Sequence, residues 1–274
     1  MDLATATVDE LFALARSAEN EDSYWDAVSA LHMRAEKRTF DLASVLCDSF
    51  AAGERCLGAD VLGQLGAEPG ASPAESPFAS AAGGALLALL SDADEAPAVL
   101  SSAAVGLGHL RDERAIEPLA ALASHADAEV RRSVVHGLMG YDDDRAVEAL
   151  IALSADEADG VRDWATFALG VQIDRDTVEL RDALAARLED PNEDARAEAI
   201  RGLARRRDER ALAAALEAAA DGGGPNVDEA LVLLGASTGD PRLRPHLERL
   251  SADPEATSTY GDELTRALER CAAA

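Results

Sequence analysis

The sequence predicts an all-α protein, a stack of about six to seven antiparallel helix pairs. Three observations carry that expectation. First, the string Val161-Arg162-Asp163-Trp164-Ala165-Thr166-Phe167-Ala168-Leu169-Gly170 recurs in diluted form, with starts at 54, 99, 130, 161, 195 and 226. After the first gap the spacing is 31, 31, 34 and 31 residues, and a fixed period in this range marks stacked supersecondary units. Second, the string is apolar at its first, fifth, eighth and ninth positions, which is helical spacing with one buried stripe. Third, the chain is 48% hydrophobic but only 4% aromatic. Its core must therefore be Leu, Val, Ile and Ala, small side chains that let helices approach closely.

The elements follow in order, and residues 1–274 read as a single elongated body. Residues 1–23 form an N-terminal cap, because Thr7-Val8-Asp9-Glu10 has capping-box spacing ahead of Leu11, Phe12 and Leu14. Residues 24–66 hold N-terminal repeats, with one helix from Tyr24 through Leu31 and another carrying Phe40, Leu42, Val45 and Leu46. Residues 67–83, with Pro69, Pro73 and Pro77, read as a flexible loop that accounts for the long first gap.

The central and C-terminal repeats span 84–252. Their first helices open with Arg114-Ala115-Ile116, Arg145-Ala146-Val147, Arg210-Ala211-Leu212 and Arg242-Leu243. Asp112, Asp144, Asp208 and Asp240 just upstream suit helix starts, where a carboxylate accepts backbone N–H groups and meets the positive dipole end. Pro118 and Pro241 fall early in their helices, where a missing N–H is tolerated. The Gly or Ala after each second helix, as in Gly235-Ala236, suits a tight exit. Asp221-Gly222-Gly223-Gly224-Pro225 is a second break. Residues 253–274, with a helix near Asp262 to Cys271, cap the C-terminal end.

These paired helices, with Val-Arg opening the second and Asp-x-Arg-Ala opening the first, resemble the HEAT repeat family. The nearest variant is the bacterial kind known from phycobilin lyase subunits. The resemblance covers residues 24 to 252 and is strongest from 97 to 212. It implies a right-handed superhelix used as a protein-binding scaffold. Glu54 and Asn226 depart from the pattern, since both replace the apolar opener.

Charge narrows the function. With 25 Lys and Arg against 52 Asp and Glu, the net charge is −27. Nucleic acid and anionic membranes are disfavoured, because both are recognised through Lys and Arg. A basic partner is favoured, since a field of one sign steers association. Lys37 is the only lysine, and an acid-rich, lysine-poor composition fits either a salt-loving host or a GC-rich genome. Cys47, Cys56 and Cys271 are odd in number and match no disulfide or zinc spacing. No signal peptide and no apolar run long enough to span a bilayer is visible, so the expectation is a cytoplasmic monomer.

Catalytic candidates are absent. His32, His109, His125, His136 and His246 form no metal-binding arrangement, none is followed by Glu as in HEAT-type di-iron hydroxylases, and no P-loop is present. No metal, cofactor or catalytic residue is therefore assigned. Counted from its opening residue, positions four, seven and eleven of each second helix share a side that should line a concave surface. That projection gathers Trp164 and Phe167, flanked by His136 and His109 on one side and by Arg201 and Arg205 on the other. Aromatic residues and Arg are enriched where proteins recognise one another. The competing reading is that Trp164 and Phe167 fill gaps between repeats. Arg201, Arg205, Arg206, Arg207 and Arg210 either pair with Glu189-Asp190 and Glu193-Asp194 or hold an anionic group of a partner. The recurring Arg131, Arg162 and Arg196 read as a structural ladder with acids of adjacent repeats. The leading function is a non-catalytic adaptor for a protein or peptide. The alternatives are an accessory subunit of a modification enzyme, of the bilin-lyase kind, and an acidic chaperone or decoy for a basic protein.

Overall fold

The structure is a computed structural model that describes residues 3–66, 72–92 and 94–272. Within those residues it contains helices and turns and no strand. It divides into two compact units, Met1–Met139 and Gly140–Ala274. Unit 1 pairs α1 (Val8–Arg16) with α2 (Glu21–His32), and α3 (Lys37–Cys47) with α4 (Ala52–Gly63). It also pairs α5 (Ala79–Leu90) with α6 (Pro97–Leu110), and α7 (Ile116–Ala121) with α8 (Ala128–Leu138). Unit 2 pairs α9 (Asp144–Leu153) with α10 (Asp159–Phe167), and α11 (Val178–Ala185) with α12 (Glu193–Arg205). Its last pairs are α13 (Ala211–Ala220) with α14 (Pro225–Thr238) and α15 (Arg244–Ser251) with α16 (Pro254–Ala272). The described residues thus hold eight pairs, beyond the six to seven the period suggests. The extra pairs are the two ends: α1, read as a cap, packs on α2 as the first half of a pair, and α16 packs on α15 as the second half of another.

Three boundaries differ from the sequence expectation. Asn20 caps α2 through Ser23 N–H, so that helix begins at Glu21 rather than at 24. Residues 67–71 of the expected loop lie outside the described residues, and its last part is helical, because α5 begins at Ala79. The C-terminal helix begins at Pro254 and kinks at Gly261, where φ is 24°.

The capping box at Thr7 and Glu10 is formed: Glu10 N–H donates to Thr7 Oγ1 at 3.3 Å, and Thr7 N–H to Glu10 Oε2 at 2.8 Å. At the Asp-x-Arg openings one carboxylate does two jobs. Asp112, Asp208 and Asp240 each accept the backbone N–H of the Arg two residues on and also bind its guanidinium. In α9 the cap is Asp143 rather than Asp144, because only Asp143 has the two-residue spacing to Arg145. Asp144 instead binds Arg175.

The core is aliphatic, with Leu62, Leu86 and Leu107 fully buried in unit 1 and Leu150, Leu169 and Leu203 in unit 2. The expected glycine exits are mostly something else. Cβ atoms built on Gly63 and on Gly108 fall 2.6 Å from Gly106 Cα and 2.9 Å from Gly137 Cα. One built on Gly202 falls 2.7 Å from Gly170 Cα. Successive second helices therefore cross backbone to backbone at glycine pairs. Gly235 also lies inside α14, against Leu247 and Ala267, and the exit is made by Gly239 at φ 71°.

Candidate functional site

The second position of each repeat string explains how the second helices are anchored. The Arg at that position reaches back and donates to the carbonyl six residues earlier: Arg55 to Ser49 at 2.7 Å, Arg131 to His125 at 2.8 Å, Arg162 to Asp156 at 2.9 Å and Arg196 to Asp190 at 2.8 Å. Each thereby satisfies a carbonyl at the turn between paired helices, which would otherwise lack a donor. Arg55 and Arg162 also bind an acid of the next repeat's turn. Arg55 holds Glu95 through contacts of 2.6 and 2.8 Å, and Arg162 holds Asp190 through contacts of 3.0 and 3.1 Å. Asp190 is 3% exposed and also takes Arg187 and the backbone N–H of Asn192. Burial pushes its carboxyl up, but these partners together hold it below the usual range.

The second-helix face carries the residues singled out above. In unit 2, Trp164 is 37% exposed on α10, and its ring meets Phe167 edge-to-face at 5.8 Å and 87°. Phe167 is half-buried. Such a ring pair adds about 0.5–1.5 kcal/mol beyond area burial, so Phe167 steadies an indole that still faces outward. Asp163 beside them is pushed up, first by burial and then by Asp194.

Arg201 and Arg205 on α12 are engaged rather than open. Arg201 Nε donates to Glu229 Oε2 at 2.7 Å and lies 3.8 Å from Glu198, while Arg205 lies 3.7 Å from Glu229. Burial pushes Glu198 up despite Arg201 and a 2.7 Å hydrogen bond from Asn226. Most of the arginine cluster is internally satisfied, by other acids than expected and by backbone carbonyls. Arg210 takes Asp208 and Asp182. Arg206, whose side chain is 7% exposed, donates to the carbonyls of Leu169, Gly170, Ile173, Arg175 and Gly202. It thereby closes the π-helical turn Ala168–Gln172 that follows α10. Arg207 sits at φ 55° with an exposed side chain. None of these residues pairs with Glu189, Asp190, Glu193 or Asp194, because the chain turns at Arg206–Arg207 and carries the cluster to the far end of α12.

His109 and His136 lie in unit 1, on α6 and α8. His109 is exposed. His136 is half-buried with Nε2 3.4 Å from Arg132 Nη1, and burial followed by the Arg132 charge lowers its pKa. Within unit 2, Trp164 meets Phe167 and Glu229 joins Arg201 to Arg205; within unit 1, His109 adds to the lowering of the His136 pKa.

One group escaped the sequence pattern. Tyr24 Oη donates to Asp60 Oδ2 at 2.6 Å, Ser102 also hydrogen-bonds this carboxylate, and His32 Nε2 lies 2.9 Å from the Asp60 carbonyl. Burial raises the Asp60 pKa against those two hydrogen bonds. Asp60 is position seven of the copy starting at 54 and Ser102 position four of the next. Arg201 and Glu229 bear the same relation. In both pairs position seven of one second helix meets position four of the next within the same unit, a spacing that would have found Asp60. Cys47 and Cys271 are buried and Cys56 half-buried, all as free thiols. Among the described residues no three His, Cys, Asp or Glu side chains are placed to hold a metal, and no helix is long and apolar enough to cross a membrane.

Comparison with known proteins matches this construction. The X-ray structure of YibA from E. coli is similar, with a TM-score of 0.76 and 22% identity over 99% of this chain and 94% of that one. The crystal structure of an engineered protein follows, with a TM-score of 0.57 and 17% identity over 98% of this chain and 82% of that one. At these identities the likeness shows the fold alone. No curated protein matches the sequence. Residues 84–170 and 181–260 match the family model for HEAT repeats. That match spans more than half of the chain and falls on the helix pairs just described: the chain belongs to the HEAT repeat family.

Proposed function

We propose that this protein is a non-catalytic scaffold that binds a basic protein or peptide segment on the face of its second helices, with Trp164 as the anchor. The observation that carries the reading is the Trp164 indole, 37% exposed and braced by Phe167 in a chain that is only 4% aromatic. A net charge of −27 supports a basic partner by long-range steering. Arg201 and Arg205 hold α12 to α14 in this reading rather than contacting the partner.

The test is fluorescence anisotropy with a dye-labelled Lys/Arg-rich peptide, titrated with the wild-type chain and with Trp164→Ala. Saturable binding that falls by roughly tenfold or more in Trp164→Ala, with an unchanged melting curve, is expected, because burying an aromatic ring contributes about 1.5–3 kcal/mol. Unchanged affinity in that variant refutes the anchor. An unfolded variant assigns the ring to packing instead.

A further inference from the structure

We propose that the groove between α12 and α13 in unit 2 docks a basic amphipathic helix of a protein partner. The groove has a simple origin. First helix α9 fills its pair with Val147, Leu150 and Leu153, whereas α13 reads Ala-Leu-Ala-Ala-Ala-Leu-Glu-Ala-Ala-Ala. Alanine cannot reach across to α12, and an open depression of about 450 Å³ remains. Its floor is apolar and half-buried: Leu188, Ala197, Ala214 and Ala218, over the buried Ile200 and Val227.

The rim has the opposite character. Glu189, Glu193, Glu217 and Asp221 stand exposed around the floor. Among the described residues no cation pairs with Glu189, Glu217 or Asp221, and Glu193 has only a 4.0 Å contact with Arg196. That Arg is itself committed to the Asp190 carbonyl at 2.8 Å. Gly222 and Gly223, at φ 114° and 58°, turn the chain just beyond Asp221. An apolar floor ringed by exposed carboxylates is complementary to one kind of ligand surface. The occupant places small aliphatic anchors at helical spacing in the floor and Lys or Arg on either flank, the helix-in-groove mode of recognition. The charge pattern excludes an acidic helix, since four desolvated carboxylates would oppose it. This groove is separate from the Trp164 face: Ala197 points into it from α12, whereas Glu198 and Arg201 pair with α14.

The test is fluorescence anisotropy with a labelled synthetic peptide that carries Leu at helical spacing and Lys/Arg elsewhere. Its controls are a scrambled peptide of the same composition and a version with Glu in place of the basic residues. Saturable binding of the amphipathic peptide alone is expected. Glu193→Lys with Glu217→Lys should weaken it by about tenfold or more and flatten its salt dependence. Ala218→Leu, which fills the floor, should weaken it by about tenfold, or ~1.4 kcal/mol, while Trp164→Ala leaves it unchanged. If filling the floor perturbs folding, the two exposed charge reversals decide alone. Equal binding of the scrambled peptide, or unchanged affinity in the charge-reversed chain, overturns the proposal. So does self-association in sedimentation velocity that the charge reversals abolish, which would make the occupant a second copy.

Discussion

Replacing Gly202 with alanine tests whether glycine is required by helix approach rather than by helix termination. Two opposing contributions decide the sign. Alanine in a helix is favoured over glycine by about 0.5–1 kcal/mol because glycine loses more backbone freedom on folding. Against that, a Cβ on Gly202 lies 2.7 Å from Gly170 Cα and 3.0 Å from Leu184 Cδ1. Carbon atoms pack at about 3.5–4.0 Å, so α12 and the turn after α10 must part by roughly 1 Å, and the atom in the way is backbone that no rotamer change can move. Overpacking of this kind costs about 1–3 kcal/mol, so Gly202→Ala should be net destabilising by about 0.5–2 kcal/mol. Gly170→Ala should cost less, because its nearest neighbours, Glu198 O and Gly202 Cα, are both 3.2 Å away. Gly84, in the middle of α5, has nothing within 4 Å of a built Cβ. Gly84→Ala should therefore stabilise by about 0.5–1 kcal/mol. Urea denaturation followed by circular dichroism separates these outcomes. A Gly202→Ala midpoint at or above wild type, with Gly84→Ala raised as expected, would refute the close-approach explanation.

Other consequences are equally direct. Arg162→Met removes the main partner of the buried Asp190 and should cost about 3 kcal/mol in urea denaturation, with much of it recovered by adding Asp190→Leu, because an uncompensated buried charge is worse than an apolar pair. Full recovery by Arg162→Lys would contradict the bidentate geometry. Asp208, held first by Arg210 and against the opposing effect of burial, has its pKa lowered from 3.8 to about 2. A depressed carboxyl stabilises the fold above its unfolded pKa. The stability advantage of wild type over Asp208→Asn should therefore be complete above pH 3.8 and vanish as pH falls through about 2. A gap that persists at the acid end would deny the linkage. Burial pushes the Cys47 thiol up to about 12. Mass spectrometry after brief alkylation at neutral pH should thus find Cys56 labelled ahead of Cys47 and Cys271, and equal labelling would contradict their burial.

Much of this architecture was legible because its determinants are local or periodic. The capping box at Thr7 and the Asp-x-Arg caps involve residues two or three apart, and the buried stripe of each second helix repeats with the helical period. The arginine ladder could be foreseen from recurrence alone, although its bonds to turn carbonyls six residues back could not. The candidate site was less legible. Trp164 and Phe167 stand out because their register positions elsewhere hold Leu, Asp, Ser, Glu, Val, His or Arg and never an aromatic ring, and that departure is visible in the string itself. Whether Arg201 is open or bound depends on Glu229, 28 residues away on another helix.

The sequence by itself determined the all-helical class, the pairing of helices and the caps that start them, since each rests on spacing within about one turn or one repeat. Only the tertiary structure decided the rest: which glycines are crossings and which are exits, which acids hold the arginines of α12, and where alanine leaves a groove. Those outcomes depend on distances between backbones far apart in the chain, and a one-dimensional pattern carries no information about how closely two helices approach.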